Sequence, residues 1–260
     1  MNLIHPSASA GFSAGAATYA RGRPDYPPEI EAWLRGALGL HSGRTVVEVG
    51  AGTGKFTAHL SKTGAQVIAV EPVAAMRAQL AATLPDADVR AGTAEALALD
   101  DGVADVVVCA QAFHWFASAA ALRSFHRVLR PGGALGLVWN VRDESVDWVA
   151  ELSRIIAPYE AGTPRFHSGA WRQAFDGAPF GEAEITTLTY AHRGPPRQVI
   201  VDRTLSISFI AALPDAERAR VEQRLLALIA GHPALRTAAE VAFPYETRAY
   251  RFAALAGGLP

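Results

Sequence analysis

Residues 46–57 read VVEVGAGTGKFT. An apolar run carries an acid, Glu48, and glycines follow at 50, 52 and 54, with Lys55 after them. A second apolar run, VIAVEP, delivers another acid, Glu71. Two carboxylates flanking a glycine loop suit a bulky polar ligand. The glycines let backbone approach it closely, and the acids can take its hydroxyls or its positive charge. A P-loop requires G-x-x-x-x-G-K-[ST]; position 49 is Val49 and the residue after the lysine is Phe56, so both tests fail. The dinucleotide fingerprint G-x-G-x-x-G would use Gly50 and Gly52 and needs a third glycine where Lys55 stands. Glu71 does lie about 20 residues beyond the loop, as that fingerprint asks. A nicotinamide-dependent oxidoreductase therefore stays open as an alternative. The third pattern is E-x-G-x-G-x-G.

A second group with chemical potential is AFHWF at 112–116. A histidine among three aromatics is either a satisfied core residue or part of a site. An imidazole titrates near pH ~6.5 in water, so His114 is the candidate general base for a hydroxyl or amine nucleophile. Cys109, the single cysteine, sits in an apolar run and reads as packing. No His/Cys/Asp/Glu group has metal-ligand spacing, so no metal is expected.

These residues need elements to hold them. Apolar or β-branched runs at 45–50, 65–71, 87–90, 104–110 and 134–140 read as strands buried on both faces. Helical patterns lie between them. The one over 117–133 carries Leu122, Phe125, Val128 and Leu129 on one stripe and stops at Pro131-Gly132-Gly133. Strand and helix in alternation predict an α/β, doubly wound, mostly parallel sheet. Residues 182–193 and 240–252 read as two late strands and 214–232 as an amphipathic helix. Site residues are then expected at the ends of the strands, where such sheets open a ligand crevice.

With these residues in place, VVEVGAGTGKFT resembles the first motif of class I S-adenosylmethionine-dependent methyltransferases. VIAVEP, AGTAEALAL at 91–99, DVVVCAQAFHWF and LRPGGALGLVWN are similar to the later motifs, in order. The arm YARGRPDYP and the tail AFPYETRAYRF look like the small-molecule subgroup of methyltransferase type 11 that includes trans-aconitate-type enzymes. The resemblance implies a Rossmann-like, seven-stranded core with S-adenosyl-L-methionine as cofactor. It implies that Glu48, Gly50, Gly52 and Gly54 face the methionyl part and that Glu71 takes the ribose hydroxyls. Pro72, Met76, Thr93, Ala94 and Glu95 would surround the adenine, while Ala110 and Gln111 line the methionyl chain. Tyr19 and Arg23 of the arm would cap the cofactor. Tyr26, Trp115, Trp139 and Asn140 would face the acceptor, beside His114. Phe113 and Phe116 would help to form a dry wall.

The resemblance also sets expectations for organisation: an arm at 1–29, a cofactor-binding core at 30–143, and lid helices with the last two strands at 144–260. Aromatic lid residues Trp148, Tyr159, Phe166, Trp171, Phe175 and Phe209 suit a planar or apolar acceptor, whereas Arg165, Arg193 and Arg203 suit carboxylates. The 260 residues carry a net charge of −1, which sets aside a nucleic-acid footprint and a polybasic membrane patch. The expected partner is a small-molecule methyl acceptor, with no nucleic acid and no membrane; a non-catalytic S-adenosylmethionine-binding protein stays open as a second alternative. The protein is expected to be a cytoplasmic monomer or homodimer, because no leader, apolar span or cysteine framework is visible.

Overall fold

The computed structural model describes residues 23–160 and 162–256. One seven-stranded sheet organises them, in the order β3-β2-β1-β4-β5-β7-β6. The first five strands are β1 (Thr45–Val49), β2 (Gln66–Val70), β3 (Asp88–Arg90), β4 (Ala104–Ala110) and β5 (Leu129–Arg142). They are parallel to their neighbours within that set. β6 (Phe180–Gly194) and β7 (Val241–Ala254) complete the sheet, and β7 runs antiparallel to both β5 and β6. All five residues of β1 and all seven of β4 are buried. That explains their largely apolar character: helices cover both faces, so little of these strands meets water.

On one face lie α1 (Ile30–Gly36) and α2 (Thr57–Lys62), which bury Ile30, Trp33, Leu34 and Leu60 against Val46, Val106 and Val108. α3 (Ala74–Thr83) packs through Leu80 against Ala51 and Ala69 at the edge. On the other face, α4 (Ala119–Val128) buries Leu122, Phe125 and Val128 against Val107, Cys109 and Leu135. Ser118 caps α4 by accepting a hydrogen bond from the Ala121 N–H at 3.1 Å. After the sheet's parallel half, α5 (Asp147–Ile156), helical turns at Arg197–Asp202, Arg203–Leu205 and Ser208–Ala211, and α6 (Asp215–Gly231) share a separate apolar cluster.

The late strands pair where the sequence places them. Two boundaries differ from expectation. α4 ends at Val128, before Pro131, because the residue preceding a proline is driven out of the helical region. β5 accordingly starts at Leu129 rather than at 134, with a register shift opposite Asp105. Gly133 is obligatory there: a Cβ would lie 2.9 Å from the carbonyl oxygens of both Arg130 and Asp105.

Candidate active site

The strand order reverses between β1 and β4, and a cavity opens beyond their carboxyl ends, the place where open α/β sheets bind ligands. Glu48, Gly50 and Gly52 line it from the first strand and its loop; Glu71, Pro72 and Met76 line it from the second. Thr93, Ala94 and Glu95 come from the loop after β3, and Ala110 and Gln111 from the end of β4. His114, Trp115, Trp139 and Asn140 close the far side, and Arg23 and Tyr26 lie over the mouth. Of the residues expected at the site, Tyr19 lies outside the described residues.

Gly54 is the exception within the loop. It does not border the cavity. Its φ is +88°, and a Cβ would lie 2.9 Å from Leu80 Cγ. Glycine is needed there for packing against α3. At Gly52 (φ +59°) a Cβ would meet nothing nearer than Met76 Sδ at 4.0 Å, so the space beside it belongs to the cavity. Phe113 also departs from expectation: it is fully buried behind the wall against Phe116, Trp171 and Phe175. Trp115 and Phe116 supply the cavity face of that turn.

Backbone strain marks the floor. Gln111 has φ +55° and is the only described residue other than glycine in that region. Its N–H donates to the Val138 carbonyl at 2.8 Å and its side-chain amide to the Asn140 carbonyl at 3.3 Å. A non-glycine residue persists there only when its surroundings over-determine it, and such positions concentrate at ligand sites.

The two acids sit in different environments. Glu71 Oε2 accepts the Gly52 N–H and Oε1 the Val73 N–H, both at 2.9 Å. Burial raises its pKa while these two bonds oppose the rise. Each oxygen keeps a further acceptor site. Glu48 Oε2 accepts the Thr57 hydroxyl at 2.5 Å. Burial, with a smaller contribution from the charge of Glu71, pushes its pKa up to about 8 against the lowering effect of the Thr57 bond. Without a cationic ligand, Glu48 holds its proton at neutral pH.

Lys55, awkward for a dinucleotide loop, has a structural task. Its ammonium donates to the Arg23 carbonyl at 2.6 Å. Asn140 Nδ2 donates to the Asp25 carbonyl at 2.9 Å, and its Oδ1 accepts from Thr247 at 2.6 Å. Asn140 thus borders the cavity while both ends of its amide are engaged. His59 Nε2 meets Asp25 Oδ1 at 3.0 Å. Three contacts therefore fasten residues 23–25 over the crevice.

The opposite wall carries residues that the sequence reading missed or left undecided. Arg142, Arg165, His167 and Arg203 all line the cavity; Arg193 does not. Arg165 meets Glu160 at 3.0 Å, whereas Arg142 lies 3.9 and 4.0 Å from Glu144 and Glu160. Nε of Arg142 and both Nε and Nη1 of Arg203 are buried without a hydrogen-bond partner. Burial, and after it the Arg203 guanidinium, lowers the Arg142 pKa; Arg165 is brought down to about 10 by burial, opposed by Glu160. Of the aromatic lid residues, only Phe166 reaches the cavity. Trp148 and Phe209 are buried in the cluster around α5 and α6. Arg142 ends β5, beyond the strand boundary that the sequence suggests, which is why it escaped notice.

Among the described residues no helix is long and apolar enough to cross a membrane, and no group of three His, Cys, Asp or Glu residues could hold a metal ion. Residues 47–137 match the family model of the methyltransferase domain. The chain is 35% identical over 244 residues to an uncharacterised methyltransferase-like protein of Schizosaccharomyces pombe, covering 92% of this chain and 93% of that one. It is 39% identical over 239 residues to an uncharacterised methyltransferase of Mycobacterium tuberculosis, again over 92% and 93% of the two chains. In fold it is similar to phosphoethanolamine N-methyltransferase 2 of Haemonchus contortus, solved in complex with S-adenosyl-L-methionine, with a TM-score of 0.55 at 13% identity over 93% of this chain and 56% of that one. A glycine loop with cavity space beside Gly52, and a carboxylate at the end of each of the first two strands, fit that cofactor. The chain belongs to the methyltransferase family and is an S-adenosylmethionine-dependent enzyme of the Rossmann-like class.

Proposed function

We propose that this enzyme methylates a small, anionic acceptor held against Arg142, Arg165 and Arg203. One observation carries the reading: three largely buried guanidiniums line one cavity, and three nitrogens of Arg142 and Arg203 have no hydrogen-bond partner. Buried donors without acceptors cost about 1–3 kcal/mol each, more when charged. An acceptor bearing carboxylate or phosphate oxygens would satisfy them through charge-assisted, bidentate bonds. The aromatic character that suggested an apolar acceptor is mostly spent in the protein core.

In this reading the free acceptor sites of Glu71 take the ribose hydroxyls. Pro72, Met76, Ala94 and Glu95 enclose the adenine, Gly50, Gly52, Ala110 and Gln111 line the methionyl chain, and Glu48 faces its ammonium. When bound, the cofactor supplies an electrophilic methyl group whose leaving group is a neutral thioether. The chain's own contribution is alignment and exclusion of water, and well-oriented reactants gain about 7–11 kcal/mol from positioning. Trp115, Phe116 and Phe166 form the apolar sides, and the arm fastened by Lys55 and Asn140 forms the cover.

Calorimetry with S-adenosylhomocysteine and with NAD comes first; binding of the former and not the latter is expected. Transfer of labelled methyl is then measured over small carboxylates and phosphates, each beside its neutral amide or ester. Turnover confined to the anions, and lost in Arg203→Met, supports the reading. Equal turnover of the neutral partners, unaffected by that substitution, overturns it.

A further inference from the structure

His114 lies in the turn Phe113–Trp115 just beyond β4 and borders the cavity. Trp139, in β5, donates its indole N–H to His114 Nδ1 at 3.0 Å. An indole nitrogen can only donate, so Nδ1 must be the ring nitrogen that carries the lone pair. In the neutral ring the proton is then on Nε2. Trp139 has little freedom to release Nδ1. It is 1% exposed, with ring centroids 4.8 Å from Trp171 and 5.0 Å from Phe166 and Tyr250 edge-on at 5.7 Å. No hydrogen bond to a described residue occupies Nε2.

The sequence alone suggested a base at this position. We propose instead that His114 acts as a neutral hydrogen-bond donor, offering Nε2–H to an oxygen of the methyl acceptor, with Trp139 as the positioning residue that fixes the tautomer. The proposal rests on the acceptor-side reading of the cavity given above. It adds a specificity rule: an anionic or carbonyl oxygen satisfies Nε2–H, whereas a protonated amine turns N–H against N–H and is rejected. The surroundings favour a ring without charge. Burial first, then the charges of Arg165, Arg23 and His167, hold its pKa down to about 3. Glu160 is engaged by Arg165 at 3.0 Å.

The tautomer is read directly by long-range proton–nitrogen correlation on histidine-labelled full-length protein, with and without S-adenosylhomocysteine. His114 is assigned by comparison with His114→Gln. From pH 5.5 to 8 we expect Nδ1 to stay pyridine-like and Nε2 pyrrole-like, without titration. In Trp139→Phe the indole donor is gone, and the ring should show mixed tautomers or begin to titrate while S-adenosylhomocysteine affinity is retained. A proton on Nδ1, or a midpoint between pH 5.5 and 7.5 in the wild-type protein, overturns the proposal. Turnover of the best anion from the acceptor panel gives the second test. His114→Ala should lose about tenfold to a hundredfold in kcat/KM, the range for a hydrogen bond to a charged group. His114→Gln, whose amide N–H reaches the place of Nε2–H, should recover most of that loss. Equal losses in both variants would mean that the ring takes a proton, and the proposal fails. Should S-adenosylhomocysteine not bind at all, the cofactor reading fails instead, and the tautomer result still stands or falls by itself.

Discussion

Cofactor binding should release a proton from Glu48, and its affinity should depend on pH in a way fixed by that residue. In the cofactor-free protein the carboxyl is buried beside the Thr57 hydroxyl, with a pKa of about 8 against an ordinary 4.5. An ammonium beside it favours the charged form, so the pKa falls in the complex. The group binds a proton in the free protein below pH 8 and gives it up on binding. The apparent Kd then scales with one plus the ratio of protonated to ionised Glu48. From pH 6 to pH 7 it should fall about ninefold, close to 1.3 kcal/mol, with nearly one proton released per cofactor. Above about pH 7.5 the cofactor's own amine begins to titrate, so pH 5.5–7 is the informative window. Calorimetry with S-adenosylhomocysteine in buffers of low and high ionisation enthalpy measures both quantities. Glu48→Gln should bind more weakly at pH 7 and lose the slope. An affinity flat from pH 5.5 to 7, with heats independent of buffer, would refute the reasoning. Glu48 would then hold the same protonation state with and without the ligand.

Glu71→Ala should weaken cofactor binding by about 1.5–3 kcal/mol, the range for hydrogen bonds to a charged group; a folded variant with unchanged affinity in the same titration would remove the ribose role. The glycines of the loop should separate in their effects. Gly54→Ala meets Leu80 at a φ of +88° and should lower stability by about 1–3 kcal/mol, read as a fall in Tm, whereas Gly52→Ala projects into the cavity and should cost cofactor affinity as well. Cys109 is fully buried, and burial raises its thiol pKa well above the ordinary value. It should resist a thiol reagent in the native protein at pH 8 and react stoichiometrically in denaturant; rapid native labelling would contradict the packing of β4.

The cofactor half of the site was legible because its residues are close in sequence and local rules govern them. Glu48, the glycines and Glu71 fall at strand ends and in one turn, and an unbroken apolar run such as VVVCA can hardly be anything but a covered strand. What sequence could not supply was direction. Phe113 and Trp115 are two residues apart in one turn, yet the first is core and the second cavity wall. Only the packing of Trp171 and Phe175 decides between them. Gly54 fits the motif and serves the core because Leu80, on another element, sits behind it. The arginine wall was hardest to see. Arg142, Arg165 and Arg203 come from a strand end, a loop and a helical turn, and no periodicity connects them. Of the three arginines set aside for carboxylates, two reach the cavity and Arg193 lies along β6 instead.

The place of β7 has a consequence for the chain as it leaves the ribosome. This last described strand is inserted between β5 and β6, pairing Ala134–Arg142 on one side with a register that ends at Tyr245. The partner for β5 is therefore translated roughly a hundred residues after β5 itself, so the pairing is strongly non-local and slow to form. Until then the edge of β5, with Leu135, Leu137 and Trp139, stands open to any other extended chain. The nascent enzyme should accordingly depend on a chaperone that shields this edge, and ribosome-stalled chains ending before Val241 should aggregate or be captured by such a holdase, whereas chains that have released Ala254 should not.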